Sequence, residues 1–218
     1  MVTRFEDRTH AGKLLAKELL ELDYPGSGAS MVVALPRGGV AIGAEVARAL
    51  GIPLDVLIVR KLGVPWQPEL AMGAIAEGDF EVLDRELIHK LHISPAEVAE
   101  VRTREQAELI RRQRLYRGEH ALKDVPSKVI LVDDGIATGA TVEVAIQALR
   151  ARGADTIALA VPVAAPETVY RLRHLADDVI CLLEPAPLVA IGQWYEEFEA
   201  VPDAAVIRIL AAAHAAQT

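Results

Sequence analysis

The sequence contains no asparagine, a single cysteine and no apolar run long enough to cross a membrane. Each absence excludes something. One thiol, Cys181, cannot close an internal disulfide, so a disulfide-stapled scaffold is ruled out. Its setting in Val179-Ile180-Cys181-Leu182-Leu183 reads as core. A bilayer-spanning helix needs about 20 apolar residues, and the opening stretch Met1-Val2-Thr3-Arg4-Phe5-Glu6-Asp7-Arg8 lacks the apolar centre of a secretory signal. A soluble cytoplasmic protein without a membrane partner is therefore expected. Missing asparagine, with arginine in excess of lysine, fits a thermophile source, and a biased genomic base composition gives the same pattern. Positive charge is also scarce: 23 Lys and Arg face 31 Asp and Glu, a net charge of -8. Broad attraction to a phosphate backbone is disfavoured, so no nucleic-acid partner is expected. An anionic ligand would need a local device, such as backbone amides or a metal ion.

What is present is enough apolar material for a large core. The 218 residues, 52% of them hydrophobic, fit one α/β domain over 1–218. Leu14, Leu15, Leu19 and Leu22 place a helix over about Phe5 to Leu22. Short apolar runs then alternate with helical patterns. Strands are expected at Met31–Leu35, Leu54–Val59, Val129–Val132, Thr156–Val161 and Val179–Leu183, with helices at Val40–Leu50, Thr141–Arg152 and Pro166–Leu175 between them. Alternation of this kind gives right-handed βαβ units and a doubly wound, mainly parallel sheet of about five strands.

One stretch, about 69–120, breaks the rhythm as an insertion. Leu70–Ala76 and Phe80–Leu83 flank Gly78-Asp79 and read as a hairpin. Ser94-Pro95-Ala96-Glu97 carries an N-cap, a first-position proline and a capping box, opening a charged helix to about Tyr116. Its alternating arginines and glutamates read as a solvated face. The tail, 185–218, holds Trp194, Tyr195 and Phe198 and ends in an alanine-rich helix.

The densest chemistry lies in Val129-Ile130-Leu131-Val132-Asp133-Asp134-Gly135-Ile136-Ala137-Thr138-Gly139-Ala140-Thr141. An apolar strand ends in two carboxylates, and a small-residue loop leads into a helix. Gly135, Ala137, Gly139 and Ala140 keep the backbone accessible; the loop amides and helix N-terminus suit a phosphate, and Thr138 and Thr141 add hydroxyls. Asp133 and Asp134 would repel that phosphate if aimed at it. They suit sugar hydroxyls or a divalent cation. A ribose phosphate offers hydroxyls and phosphate at that separation.

The segment resembles the motif by which type I phosphoribosyltransferases bind 5-phosphoribosyl-1-pyrophosphate (PRPP). The resemblance implies that Asp133 and Asp134 contact the ribose hydroxyls and hold Mg²⁺ indirectly, through those hydroxyls or water. It assigns Ala137 through Thr141 to the 5-phosphate. It also implies a homodimer, a second substrate with an acceptor nitrogen, and a C-terminal hood over the strand ends.

Upstream, Leu35-Pro36-Arg37-Gly38-Gly39-Val40 is a second strand–turn–helix. Arg37 offers a guanidinium fork, and Gly38 and Gly39 let amides approach an anion. The turn is similar to the family's pyrophosphate loop, whose Arg-Gly form occurs in xanthine-guanine and adenine members. That loop often carries a non-proline cis peptide, which the resemblance places between Pro36 and Gly38. Val59-Arg60-Lys61-Leu62-Gly63-Val64-Pro65 resembles a segment of adenine phosphoribosyltransferases, and Lys61 is the candidate second clamp on pyrophosphate. As a plain strand end, the same basic pair would be solvated.

One position departs from the family. Hypoxanthine-guanine members carry an aspartate where this chain has Ala137, so the usual 6-oxopurine acid–base group is missing; Glu69 and Glu77 are speculative replacements. Trp194 either stacks on a flat base or packs as core. Three readings compete. The first is a PRPP-dependent transferase, the second a PRPP-sensing regulator without turnover. The third, a receiver-like protein with acids at one strand end, is opposed by the second phosphate loop.

Overall fold

A computed structural model describes residues 4–118, 122 and 125–215. The last residues assigned above to the insertion (119–120) and to the tail (216–218) lie outside them. In chain order the elements are α1 (Arg8–Glu21), β1 (Ser30–Ala34), α2 (Gly38–Leu50), β2 (Leu54–Val56), β3 (Val59–Val64), β4 (Gln67–Ala76), β5 (Phe80–Leu83) and α3 (Arg85–Lys90). The long α4 (Pro95–Arg117) is followed by β6 (Lys128–Val132), α5 (Ala140–Arg150), β7 (Thr156–Val163), α6 (Pro166–Leu172), β8 (Asp178–Leu183) and α7 (Asp203–Ala215).

Five strands form a parallel sheet in the order β2-β1-β6-β7-β8. Successive residues of each strand point to opposite faces, and both faces are buried, which is why these runs read as continuously apolar. Val32, Ala34, Ile130, Val132, Ala158 and Ala160 join the cluster that includes residues of α1, α2 and α7. Val33, Leu131, Ile157 and Leu159 join the cluster built with α5. The chain leaves β1 towards β2 on one side, and β6 towards β7 on the other. A crevice therefore opens at the carboxyl ends of β1 and β6, the switch point where doubly wound sheets bind ligands.

The insertion is larger than a hairpin. Beside β4 and β5, strand β3 completes an antiparallel sheet in the order β3-β4-β5. Arg60 and Lys61 lie within β3, not in a loop beyond the second core strand. Helix α4 has the expected capping box at Ser94 and Glu97. It is more than a solvated face, because Val98, Val101, Leu109 and Tyr116 are buried. Helix α1 starts at Arg8, where Asp7 caps it by accepting from the His10 amide at 2.7 Å. Phe5, assigned by periodicity to that helix, instead forms a parallel bridge with Tyr195.

Candidate active site

The two expected anion loops meet at the switch point. The Leu35 amide donates to the Val132 carbonyl at 2.9 Å, holding the ends of β1 and β6 level. The Pro36–Arg37 peptide is cis and non-proline, within the interval the family resemblance implied. A Cβ on Gly38 would overlap the Asp134 carboxylate, and one on Gly39 would stand 2.8 Å from the Val132 carbonyl oxygen. Glycine is required here by the close approach of the two loops.

The acids are partly buried, and Asp133 Oδ1 accepts from the Asp134 amide at 2.8 Å. Burial pushes the Asp133 carboxyl well above the ordinary range, and the neighbouring charge of Asp134 adds to it. Burial also raises Asp134, but the guanidinium of Arg8 opposes that shift. Arg8 Nε and Nη2 both lie 2.8 Å from Asp134 Oδ2. The pair gathers negative charge that needs cationic company, and Arg8 provides part of it.

After the acids the loop is fastened from behind. The Ile136 amide donates to the Val163 carbonyl at 2.9 Å. From α6, the buried Thr168 donates its hydroxyl to the Ala137 carbonyl at 2.6 Å, and Arg171 donates to the Thr138 carbonyl. In a planar trans peptide, C=O and N–H point in opposite directions. With those carbonyls turned to α6, the amides of Thr138 and Gly139 point away from it. Gly139 adopts the left-handed conformation (φ 79°) and starts α5 at Ala140, whose first-turn amides, with that of Thr141, have no partner within the helix. The result is an array of donors with the macrodipole behind it.

Arg37 reaches over the crevice. Its Nη1 lies 3.8 Å from Asp203 Oδ1 at the start of α7, a carboxylate that also accepts from the Tyr116 hydroxyl at 2.5 Å and from Arg111 at 3.3 Å. Lys61 pairs with the highly exposed Glu69 at 3.1 Å, and Arg60 with Glu105 of α4 at 2.6 Å. Neither is directly linked to the two loops. Glu77 is nearly inaccessible, pairs with the equally buried Arg117, and receives Arg152 on its carbonyl. Arg152 stands past the C-terminal end of α5, a helix of 11 residues whose opposite end follows the Thr138-Gly139 loop. At about 1.5 Å per residue that is roughly 16 Å away.

Trp194 lies in a 3-10 turn (Ile191–Trp194), half-buried against the core; its indole nitrogen is buried without a hydrogen-bond partner among the described residues. Its neighbour turns inward: the Tyr195 hydroxyl donates to the Asp134 carbonyl at 2.6 Å. Cys181 is partly buried and packs against the cluster on the α5 face.

Arg8, Thr168, Arg171 and Asp203 were not singled out from the sequence. Their partners are 126, 31, 33 and 87 residues away, so no local pattern announces them.

A crevice with paired acids and loop amides at the switch point of a parallel sheet places the chain among the doubly wound α/β proteins. The chain belongs to the phosphoribosyl transferase domain family, whose model matches residues 3–192, and it has the type I fold of that family. A Mycobacterium tuberculosis protein whose name assigns it provisionally to the phosphoribosyl transferases is 45% identical over 212 residues, 96% of this chain and 47% of the relative. The chain thus spans about half the length of that relative. A uracil phosphoribosyltransferase of Lactobacillus gasseri is 41% identical over 76 residues, covering 30% of this chain and 36% of that enzyme. Among solved structures, TT1426 from Thermus thermophilus is 41% identical with a TM-score of 0.73, covering 95% of this chain and 97% of that one.

Proposed function

We propose that this chain binds PRPP in the crevice and transfers its ribose 5-phosphate to a nitrogen of a flat heterocycle, releasing pyrophosphate. The observation that carries the reading is the juxtaposition of Gly38 with Asp134, which puts an Arg-Gly anion loop against the acids of a phosphate loop. The amides from Thr138 to Thr141, with the two threonine hydroxyls, bind the 5-phosphate. Asp133 and Asp134 accept from the ribose hydroxyls. Arg37 and the amide of Gly38 take the pyrophosphate, since the Gly39 amide already donates to the Leu35 carbonyl at 3.1 Å, and Arg37 exchanges Asp203 for it. Lys61 joins by exchanging Glu69.

The bond from the anomeric carbon to pyrophosphate breaks through a transition state with oxocarbenium character, as in glycoside hydrolysis. Charge developing on the leaving group is met by Arg37 and Lys61 once they have exchanged partners, and by the loop amide. Mg²⁺ fits this donor set: no cluster of three ligating side chains occurs among the described residues, and two carboxylates suit an ion carried chiefly by substrate oxygens and water. Bound there, it would neutralise pyrophosphate charge. The antiparallel β3–β4 ribbon beside the crevice is the element suited to excluding water.

The family resemblance further supports a homodimer, and the net charge of -8 a cytoplasmic protein with no nucleic-acid partner; no helix among the described residues is long and apolar enough to cross a membrane. A second reading, PRPP sensing without turnover, is favoured by one observation: Ala137 stands where 6-oxopurine enzymes carry an acid–base group. Pyrophosphate release from PRPP and Mg²⁺, measured with adenine, guanine, hypoxanthine, xanthine and uracil in turn, separates the two. Release with one base supports transfer. PRPP binding without release for any base supports sensing.

A further inference from the structure

Arg8 is held more firmly than an arginine serving only for solubility. Its stem starts at the first residue of α1, which Asp7 caps. Nε and Nη2 both meet Asp134 Oδ2 at 2.8 Å, and Nη1 donates to the Glu199 carbonyl at 2.8 Å. Its guanidinium carbon stands 3.9 Å from the centroid of the Phe198 ring, so the charge lies against an aromatic face as well. Only 12% of the side chain is exposed. A Cβ on Gly38 would come within 3.0 Å of Arg8 Nε, so the guanidinium also lines the pyrophosphate loop.

The segments around it are tied together by backbone bonds. The Phe5 amide donates to the Trp194 carbonyl at 2.9 Å, and the Glu196 amide to the Phe5 carbonyl at 2.8 Å. Tyr195 holds the backbone of Asp134 while Arg8 holds its carboxylate. One acid of the pair is thus gripped by the start of α1 and by the tail.

We propose that Arg8 is a positioning residue for the ribose site: it fixes the Asp134 carboxylate against the pyrophosphate loop and fastens the C-terminal hood over it. The inference rests on the ribose assignment above and deepens it. Two consequences follow from charge and geometry. Two adjacent carboxylates repel a polyanionic ligand, and Arg8 offsets part of that repulsion where the phosphates enter. An Asp134 side chain held by a charge-assisted hydrogen bond from Arg8 Nε, with Nη2 in ion-pair contact, also loses less freedom when it accepts from a ligand hydroxyl. An arginine acting only as a staple between distant segments would lower stability and leave the affinity of the folded protein unchanged.

The test is a double-mutant cycle on the full chain, read by calorimetry with PRPP and Mg²⁺ and with ribose 5-phosphate, beside thermal melts. R8Q should weaken PRPP binding by about tenfold or more, the scale of a lost hydrogen bond between charged groups. R8K keeps the charge without the fork and should fall between R8Q and wild type; it also serves if R8Q does not fold. In a D134N background, R8Q should change affinity by less than about twofold, because its target charge is gone. Equal weakening by R8Q in both backgrounds, or a lower melting temperature with wild-type affinity, overturns the proposal and leaves the ribose reading intact. A wild type that binds neither ligand overturns both.

Discussion

Gly38 and Asp134, 96 positions apart in the chain, are in such close approach that Gly38 has no room for a methyl group. This contact joins the loop after β1 to the loop after β6, and the proposed PRPP site rests on it. Gly38→Ala must displace the Asp134 carboxylate or Arg8, an overpacking that typically costs about 1–3 kcal/mol. The variant should melt lower and bind PRPP at least about tenfold more weakly. Unchanged affinity by calorimetry would show that the two loops serve different ligands.

Arg37 has Asp203 as its ion-pair partner at 3.8 Å, and the proposal assigns it to the leaving pyrophosphate. Arg37→Ala should weaken inorganic pyrophosphate by about 10- to 100-fold, the worth of a charge-assisted hydrogen bond. In the proposed site ribose 5-phosphate has no group at that loop, so its affinity should change by less than about twofold. Equal weakening of both ligands would make Arg37 a structural residue.

The acceptor prediction turns on Ala137. General acid–base help is worth about two to four orders of magnitude in rate. Neither speculative replacement is well placed: Glu69 is highly exposed and paired with Lys61, and Glu77 is buried with Arg117 beyond the far end of α5. Guanine and hypoxanthine should therefore be poor acceptors. Initial rates with each base decide it, and turnover of either above about one per second contradicts the prediction.

Much of the fold is readable from the amino acids because its core strands are buried on both faces. Runs such as Val129–Val132 stand out for that reason, and all five were located to within a few residues. Strand β3 is harder to read, since Arg60, Lys61 and Gly63 interrupt its apolar character and pairing with β4 decides its conformation. Within the candidate site, Asp133, Asp134 and the Thr-Gly loop are contiguous in sequence, so the motif they form can be read without the fold. Arg8, Thr168 and Arg171 are single polar residues in ordinary helices, and only the fold brings them to the loop.

Cys181 offers an independent check on burial around β8. Burial, with the nearby charge of Glu184, pushes its thiol up to about 12. Thiolate is the reactive form, and the raised pKa keeps it scarce at pH 8. Labelling by Ellman's reagent at pH 8 should be at least about a hundredfold slower in the native protein than in guanidinium chloride. Comparable rates would contradict the packing described for this strand.

The central claim is that the acids and both loops form one PRPP site, and ligand-induced stabilisation reads it directly. PRPP with Mg²⁺ at about one hundred times its dissociation constant should stabilise the wild type by about 2.7 kcal/mol. For a domain of this size that raises the melting temperature by about 5 °C or more. Asp133→Asn combined with Asp134→Asn should abolish most of that rise while remaining folded in the absence of ligand. A double variant that keeps the full shift, or a wild type that shows none, would contradict the account.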